Sequence, residues 1–348
     1  MAAAPRVQPD DYFTSEDWAA LSARSDWRGL FLVLHCWLVI GAAMVAGAVW
    51  PWTIPLGVVV VGNRQLGLFI LMHDAAHGLL HASRKVNDRI GYWFCGSDLH
   101  AYRPYHLRHH RFVQQSEDPD LILSAPFPIS RASLRRKIVR DLSGQTFYKQ
   151  RLAPLVAALL GPATTKPQAA PGIAADPSAA ANAANAANAA NAANAANAAI
   201  AVNAVGASRW SRLCVAVQRQ QMFFITNLIG LALFALAGYG WLWCALWLLP
   251  MATWLPLVTR LRNIAEHALV AENSSDPLRH ARTTHASLLE RVLIAPYWVN
   301  YHSEHHMFTQ IPCWNLKRAH RILQRDGVTA RMEIQPGYLA MLKVAAPA

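Results

Sequence analysis

Four long apolar runs constrain this 348-residue chain more than any other feature of its sequence. A helix needs about 20 apolar residues to cross the hydrocarbon core of a bilayer. Runs of about this length cover residues 29–50, 53–72, 222–238 and 242–259. Short turns join the first run to the second and the third to the fourth. The pattern predicts an all-α integral membrane protein with four transmembrane helices in two hairpins.

The distribution of Lys and Arg predicts the orientation of these hairpins. Their internal turns, WPW at 50–52 and GYGW at 238–241, contain no basic residue, and almost all of the 32 Lys and Arg lie outside the apolar runs. Basic residues are enriched in cytoplasmic loops. We therefore expect a multi-pass protein, in a bacterial inner membrane, with both termini and the segment between the hairpins in the cytoplasm. Anionic headgroups account for the net charge of +12, so no nucleic-acid partner is expected.

The chain divides into six predicted segments. They are a cytosolic N-terminal segment (1–28), a first hairpin (29–80), a cytosolic and interfacial region (81–160), a linker (161–208), a second hairpin (209–260) and a cytosolic C-terminal region (261–348). In the linker, Asn recurs every third residue over 182–197 between alanines, which predicts disorder or unstable helix. In 130–142, Leu134, Ile138 and Leu142 recur at helical spacing among arginines, which predicts an interfacial helix.

Histidine recurs at matched spacing where the apolar runs meet the predicted cytoplasm. HxxHH occurs twice, in YHLRHHRF and NYHSEHH, while HDAAH ends the second run and NIAEH follows the fourth. With 15 histidines in the chain, one HxxHH is expected by composition only about 0.03 times. Residues three or four apart share a face of a helix. The clusters can therefore converge, and the candidate ligands are His73, His77, His106, His109, His110, His267, His302, His305 and His306.

Nine imidazoles on one side of a membrane indicate a metal site. Neutral imidazole binds iron, copper, nickel and zinc, and nine nitrogens are more than one ion can hold. Two zinc ions, which are usually four-coordinate, would use fewer of these nitrogens than two octahedral irons. A redox metal at the membrane face indicates oxygen chemistry on lipid. A histidine-rich metal transporter is the alternative, but transporter sites lie near the bilayer midplane, and the clusters lie at span ends.

These motifs resemble the three histidine boxes of the membrane fatty acid desaturase and hydroxylase family. The resemblance extends from about residue 29 to residue 323, interrupted by the linker. It includes Asn263 and His267, which look like the family's NxxxH element, where the histidine binds iron and the asparagine binds it through a water. The resemblance implies a four-span helical protein with a cytosolic cap, two iron ions (Fe²⁺ when reduced), O₂ as co-substrate and a fatty-acyl substrate. It leaves desaturation and hydroxylation open.

The resemblance also implies an external electron donor. The sequence contains no CxxC pair, no ferredoxin-type cysteine spacing, no His-Pro-Gly-Gly heme stretch and no glycine-rich dinucleotide fingerprint. We expect a separate ferredoxin-, rubredoxin- or cytochrome-type carrier with its reductase. The basic segment 131–151 either receives that carrier or, as we favour, binds lipid headgroups.

Several other residues have two interpretations. We expect structural roles for the remaining histidines, His35, His81, His100, His280, His285 and His320. The acids near the boxes either accept the second N–H of a ligating imidazole or pair with arginines; they are Asp74, Glu117, Asp118, Asp120, Glu266 and Glu304. Arg64 is a structural anchor, the favoured interpretation, or contacts a substrate headgroup or carboxyl. Trp298 and Tyr301 either line the path of an alkyl chain or pack at a span boundary.

Overall fold

The computed structural model describes residues 4–160, 208–270 and 275–347. The first of these stretches folds into helices α1 (Ser15–Ser22), α2 (Arg28–Val49), α3 (Ile54–His77), α4 (Arg84–Phe94), α5 (Leu99–Phe112), α6 (Leu121–Ser124), α7 (Arg131–Leu142), α8 (Gln145–Phe147) and α9 (Ala153–Leu160). A 3₁₀ turn at Pro51–Thr53 joins α2 to α3, and a π-helical turn at Tyr148–Leu152 joins α8 to α9.

The remaining described residues are also mainly helical. They form α10 (Arg209–Gln218), α11 (Gln221–Leu236), α12 (Gly240–Trp243), α13 (Leu249–Ala252), α14 (Trp254–His267), α15 (Leu288–Leu293), α16 (His302–Met307), α17 (Cys313–Arg325) and α18 (Tyr338–Ala345). The described residues are thus all-helical apart from one short sheet, in which β1 (Arg282–Thr284) and β2 (Glu333–Gln335) pair in parallel, with Arg282 opposite Glu333.

The described residues contain three helices that are long and apolar enough to cross a membrane. They are Arg28–Val49, Pro51–His77 and Gly240–His267, and α10 with α11 would make a fourth span although the pair bends by 72°. The last span includes a π-helical turn, Cys244–Leu248, and continues past residue 260. The predicted start of the C-terminal region at residue 261 therefore falls inside α14, and His267 ends a candidate span in the same way that His77 does.

Helix α3 forms the centre of the fold. Nearly every residue from Val61 to Ala76 is buried, because α2, α5 and α14 pack around it. Close packing requires a glycine where α14 crosses, since a Cβ on Gly62 would lie 2.7 Å from the Cβ of Trp254. Inside the bundle, Nε2 of Gln65 donates a hydrogen bond of 2.8 Å to the carbonyl of Trp247 and so links α3 to the last candidate span. This packing fixes the end of α3 that carries the first histidine box.

Helix α7 is present where the sequence predicts an interfacial helix, but its buried residues are charged. Lys137 and Asp141 are buried, and Val139 and Leu142 are exposed. Arg260 of α14 donates two hydrogen bonds to the Asp141 carboxylate, at 2.5 and 2.9 Å. This buried ion pair attaches α7 to α14 and leaves apolar side chains on the outer face. The predicted linker, residues 161–208, lies outside the described residues except for Ser208, whose side chain caps α10.

Candidate metal centre

The first histidine box occupies the last two turns of α3. His73 and His77 lie four residues apart on one face, and the helix ends at Gly78, which has φ +77°. Glycine adopts this left-handed conformation without the steric cost that a Cβ imposes. The N–H groups of Gly78 and Leu79 then donate to the carbonyls of Ala75 and Asp74 at 3.0 and 2.9 Å. The chain therefore leaves the helix directly after His77.

The second box lies in α5, outside the candidate membrane spans. Asp98 caps this helix by accepting hydrogen bonds from the N–H groups of His100 and Ala101, at 2.9 and 3.1 Å. His106, His109 and His110 are all buried. The spacing of three and four residues directs them to one side of the helix, toward the end of α3.

The third box forms the short helix α16, which neighbouring side chains hold in place. Glu304, within the box, is fully buried and accepts hydrogen bonds from Thr283 of β1 and from His320 of α17, both at 2.5 Å. The Arg282 guanidinium caps the end of α14, donating to the carbonyls of Ala268 and Leu269 at 2.7 and 3.1 Å. Strand β1 thus positions both the third box and His267.

The nine candidate histidines converge into two groups. The first group comprises five histidines, and one ring nitrogen from each lies within 4.8 Å of the others: His73, His77, His106, His110 and His305. The Nε2 of His106 lies 2.8 Å from that of His77 and 3.0 Å from that of His110. The Nε2 of His305 lies 3.0 Å from that of His110. Helices α3, α5 and α16 all contribute to this group.

The other four histidines form the second group. Here too, ring nitrogens lie within 4.8 Å of one another in the set His109, His267 and His306. The same distance holds for a ring nitrogen of His267, a ring nitrogen of His302 and a carboxylate oxygen of Glu266. The Nε2 of His302 lies 2.9 Å from that of His267 and 3.1 Å from that of His306. Among the residues that the structure describes, no other histidine belongs to either group. Each HxxHH motif is therefore divided: His106 and His110 enter the first group with His305, whereas His109, His302 and His306 enter the second.

These nitrogens have the spacing of ligands to shared ions. Two nitrogens bound at a right angle to one ion, each at about 2.1 Å, lie about 3 Å apart. The Nε2 of His73 is buried and has no hydrogen-bond partner among the described residues, as a metal ligand would if its ion were removed. Burial, reinforced by neighbouring imidazoles, lowers the pKa of His106, His110, His302, His305 and His306 well below the usual value. These five rings are thus neutral, which is the form that binds metal.

Asp118 holds the remaining ring of the second box. Its Oδ1 accepts a hydrogen bond of 2.8 Å from Nδ1 of His109, and both residues are buried. Burial opposes the charged imidazole, but the Asp118 carboxylate outweighs it and raises the pKa of His109 to about 9. Metal binding through Nε2 of His109 requires that nitrogen to lose its proton. The hydrogen bond to Asp118 keeps the other proton of the ring on Nδ1. Among the acids near the boxes, Asp118 has the shortest distance from a carboxylate oxygen to a ring nitrogen of a boxed histidine.

The other acids have different partners. Asp74 Oδ1 lies 3.5 Å from His73 Nδ1, and its other oxygen accepts from the N–H of Cys313. Asp120 accepts from the Tyr105 hydroxyl at 2.6 Å and lies 3.7 Å from His109. Glu117 accepts from Ser116. Glu304 binds His320, which sequence reasoning treated as an isolated structural histidine.

Three further residues interpreted from sequence can now be placed. Asn263 lies one turn before His267 on α14 and is half-buried. The Arg64 guanidinium lies 5.5 Å from the ring centroid of Tyr297, a contact that sequence reasoning missed. Tyr301 is buried, with its ring 5.2 Å from that of His320, so it packs behind the third box.

Tyr297 and its neighbour Trp298 have unusual backbone conformations. Their φ angles are +53° and +57°, in the left-handed region that bulky residues rarely adopt. The Tyr297 hydroxyl donates to the carbonyl of Leu32 at 3.2 Å and lies 3.1 Å from Nδ1 of His35. These contacts hold the chain against α2 and α3 shortly before the third box.

A cavity of about 250 Å³ reaches both histidine groups. His110 of the first group and His306 of the second line it, together with the N-terminal segment that includes Arg6 and Gln8. The backbone N–H of Ala4 donates to the carbonyl of Arg111 at 2.9 Å and so attaches this segment beside the second box. The two groups are therefore accessible from the side formed by the N-terminal segment.

Comparison with known proteins agrees with this geometry. The family model for fatty acid desaturases matches residues 48–336, a range that includes all nine histidines. A curated relative, dihydrorhizobitoxine desaturase of Bradyrhizobium elkanii, is 25% identical over 296 residues, which cover 83% of this chain and 72% of the relative. The motifs resemble those of the family, their side chains converge, and the family model covers most of the chain: this protein belongs to the fatty acid desaturase family.

Proposed function

We propose that this protein is an O₂-dependent, di-iron desaturase that introduces a double bond into the alkyl chain of a fatty-acyl substrate at the membrane. The observation that carries the proposal is the convergence of nine histidines into a group of five and a group of four at the ends of apolar helices. Membership of the family supports an oxidoreductase of the desaturase type. The ligand set we propose is the nine histidines with Asn263.

The proposed reaction balances with an external reductant. Two neighbouring CH₂ groups lose one hydrogen each and become CH=CH, O₂ is reduced to two molecules of water, and a ferredoxin-type carrier supplies two electrons while two protons come from solvent. The iron ions, when bound, supply the oxygen chemistry that amino-acid side chains do not provide. Hydroxylation by the same site would instead insert one oxygen atom and release one molecule of water.

The protein's own residues have positioning roles in this proposal. Neutral, buried imidazoles present Nε2 to the ions, and Asp118 fixes the ring of His109. Glu304, held by Thr283 and His320, orients the helix that carries His302, His305 and His306. Apart from the cavity that reaches His110 and His306, burial of both groups limits access of water and so protects the reaction from competing proton and oxygen chemistry.

One observation favours a second substrate class, a small polar molecule that enters from the cytosolic side. The 250 Å³ cavity that reaches His110 and His306 has a mixed lining, in which Arg6, Gln8 and Gln310 contribute polar side chains. The name of the curated relative gives dihydrorhizobitoxine as its substrate. A search for the substrate should therefore include water-soluble metabolites as well as membrane lipids.

The experiment that tests the proposal is expression with a ferredoxin and its reductase under aerobic, iron-replete conditions, followed by mass spectrometry of lipids and of soluble extracts. The matched control is His305→Ala. We expect a species that has lost two hydrogens and is absent from the control; a gain of one oxygen would identify a hydroxylase. An unchanged profile from a protein that contains two irons and receives electrons would refute both activities on the compounds present.

A further inference from the structure

The two histidine groups differ in size, and a carboxylate lies beside the smaller one. The second group has four imidazoles, fewer than the six ligands of an octahedral ion. Glu266, which directly precedes His267, is 2% exposed. One of its carboxylate oxygens lies within 4.8 Å of ring nitrogens of His267 and His302. The Oε2 atom is 3.5 Å from Nε2 of His302, the nitrogen that also faces His267 and His306.

The two oxygens of Glu266 have different environments. Oε1 accepts a hydrogen bond of 2.6 Å from Nε of Arg262, one turn earlier on α14. Oε2 instead faces the histidines. Arg262 therefore fixes the side chain and orients Oε2 toward the ligand nitrogens.

A second buried acid–arginine pair, between Asp141 of α7 and Arg260 of α14, shows what a purely structural contact looks like here. Both oxygens of Asp141 accept from Arg260, and one of them also accepts from the hydroxyl of Thr146. Both oxygens of the Asp141 carboxylate therefore accept hydrogen bonds from protein groups. Glu266 pairs with Arg262 within α14 and is similarly buried, yet one of its oxygens is directed toward the four-histidine group.

We propose that Glu266 Oε2 is a direct oxygen ligand of the ion held by His109, His267, His302 and His306. This inference rests on the two-metal function proposed above. A carboxylate suits iron and offsets part of the charge of an ion that is otherwise surrounded by neutral imidazoles. Asn263 lies one turn before His267 on α14. A water between Asn263 and the ion is compatible with Glu266 as a further ligand.

Metal binding by the full-length chain in detergent tests this assignment. Metal-free wild type, Glu266→Gln and the matched control Asp141→Asn are titrated anaerobically with Fe²⁺, and bound iron and melting temperature are measured. We expect two irons in wild type and in Asp141→Asn. In Glu266→Gln we expect one tight site and a second whose affinity is at least about tenfold weaker.

Each outcome decides a different point. Equal binding of both irons by wild type and Glu266→Gln would overturn the assignment, as would the same loss in Asp141→Asn. Fewer than two irons in wild type would overturn the proposed function itself. If Glu266→Gln does not fold, a cryo-electron microscopy map of the zinc-loaded wild type decides: the assignment requires an ion about 2.0–2.2 Å from a Glu266 oxygen, and a clearly longer distance overturns it.

Discussion

His109 and Asp118 form a buried hydrogen bond of 2.8 Å that leaves Nε2 of His109 facing His306 across 3.4 Å. Asp118 is itself fixed, because its carboxylate also accepts from the backbone N–H groups of Gln114 and Asp120. A loop residue nine positions after His109 thus determines which nitrogen of His109 is available to a metal.

Replacing Asp118 with alanine should therefore weaken iron binding or turnover by about 10- to 100-fold, the usual cost of losing a carboxylate that orients a ligating histidine. Iron per chain and turnover rate measure the effect. Glu117→Ala is the matched control on the same loop and should resemble wild type. Equal activity of Asp118→Ala and wild type would show that His109 is oriented by other contacts.

Replacing His305 or His302 with alanine should reduce turnover by more than about 100-fold, because each change removes a proposed ligand rather than a group behind one. The same holds for the other seven histidines, whereas Asn263→Ala should have a smaller effect if it acts through water. Membrane insertion should persist, since the spans do not depend on the site. Turnover, metal content and membrane fractionation are compared with exposed His100→Ala. Full activity in two or more of the nine variants would exclude the ligand set.

Arg64→Gln should lower the free energy of unfolding by about 0.5–2 kcal/mol through loss of the contact with the Tyr297 ring, and should leave iron content and KM unchanged. The favoured role of Arg64 is that of an anchor between α3 and the segment before the third box. Denaturant unfolding in detergent and steady-state kinetics separate the two interpretations. A raised KM with unchanged stability would instead assign Arg64 to the substrate.

Deleting residues 179–199 should leave activity near the wild-type value. The sequence predicts a linker without a packed core, and shortening a flexible connection changes the closure entropy only slowly. Activity in membranes and the level of folded protein measure this. Loss of folding would show that the Ala/Asn repeat contributes structure.

The purified protein should be inactive with NADPH and O₂ alone and should become active when a ferredoxin and its reductase are added. If the carrier is acidic and binds the basic segment 131–151, the rate should fall as salt rises. Oxygen consumption coupled to product formation measures the reaction. Sustained turnover without an added carrier would contradict this expectation.

The sequence predicted which histidines meet but not how they divide. The spacing within each box, and the position of the boxes next to or between apolar runs, are local properties that can be read along the chain. The division depends on how α5 and α16 are rotated about their axes against α3. For that reason His109 separates from its neighbour His110, and His305 from His306, although both motifs have the same letters.

Long-range contacts account for what the sequence did not predict. The left-handed backbone of Tyr297 depends on distant partners in α2 and α3, and no local glycine signals it. Likewise, the buried position of Asp141 follows from Arg260, more than one hundred residues later. The apolar runs, by contrast, predicted α2 and α3 closely, because hydrophobicity over about 20 residues is itself the physical requirement for a span.

Helix α3 is unbroken, so its apolar part is rigidly connected to the proposed metal ligands His73 and His77. One unbroken helix, long and apolar enough to cross a membrane, runs from Ile54 to His77. The last candidate span instead contains a π-helical turn and is interrupted between Ala252, where α13 ends, and Trp254, where α14 begins. A tilt of α3 in the bilayer would be transmitted without loss to His73 and His77. The last span has two irregular points at which to absorb the same tilt. A change in the thickness of a surrounding membrane would therefore act more directly on the five-histidine group than on the other group.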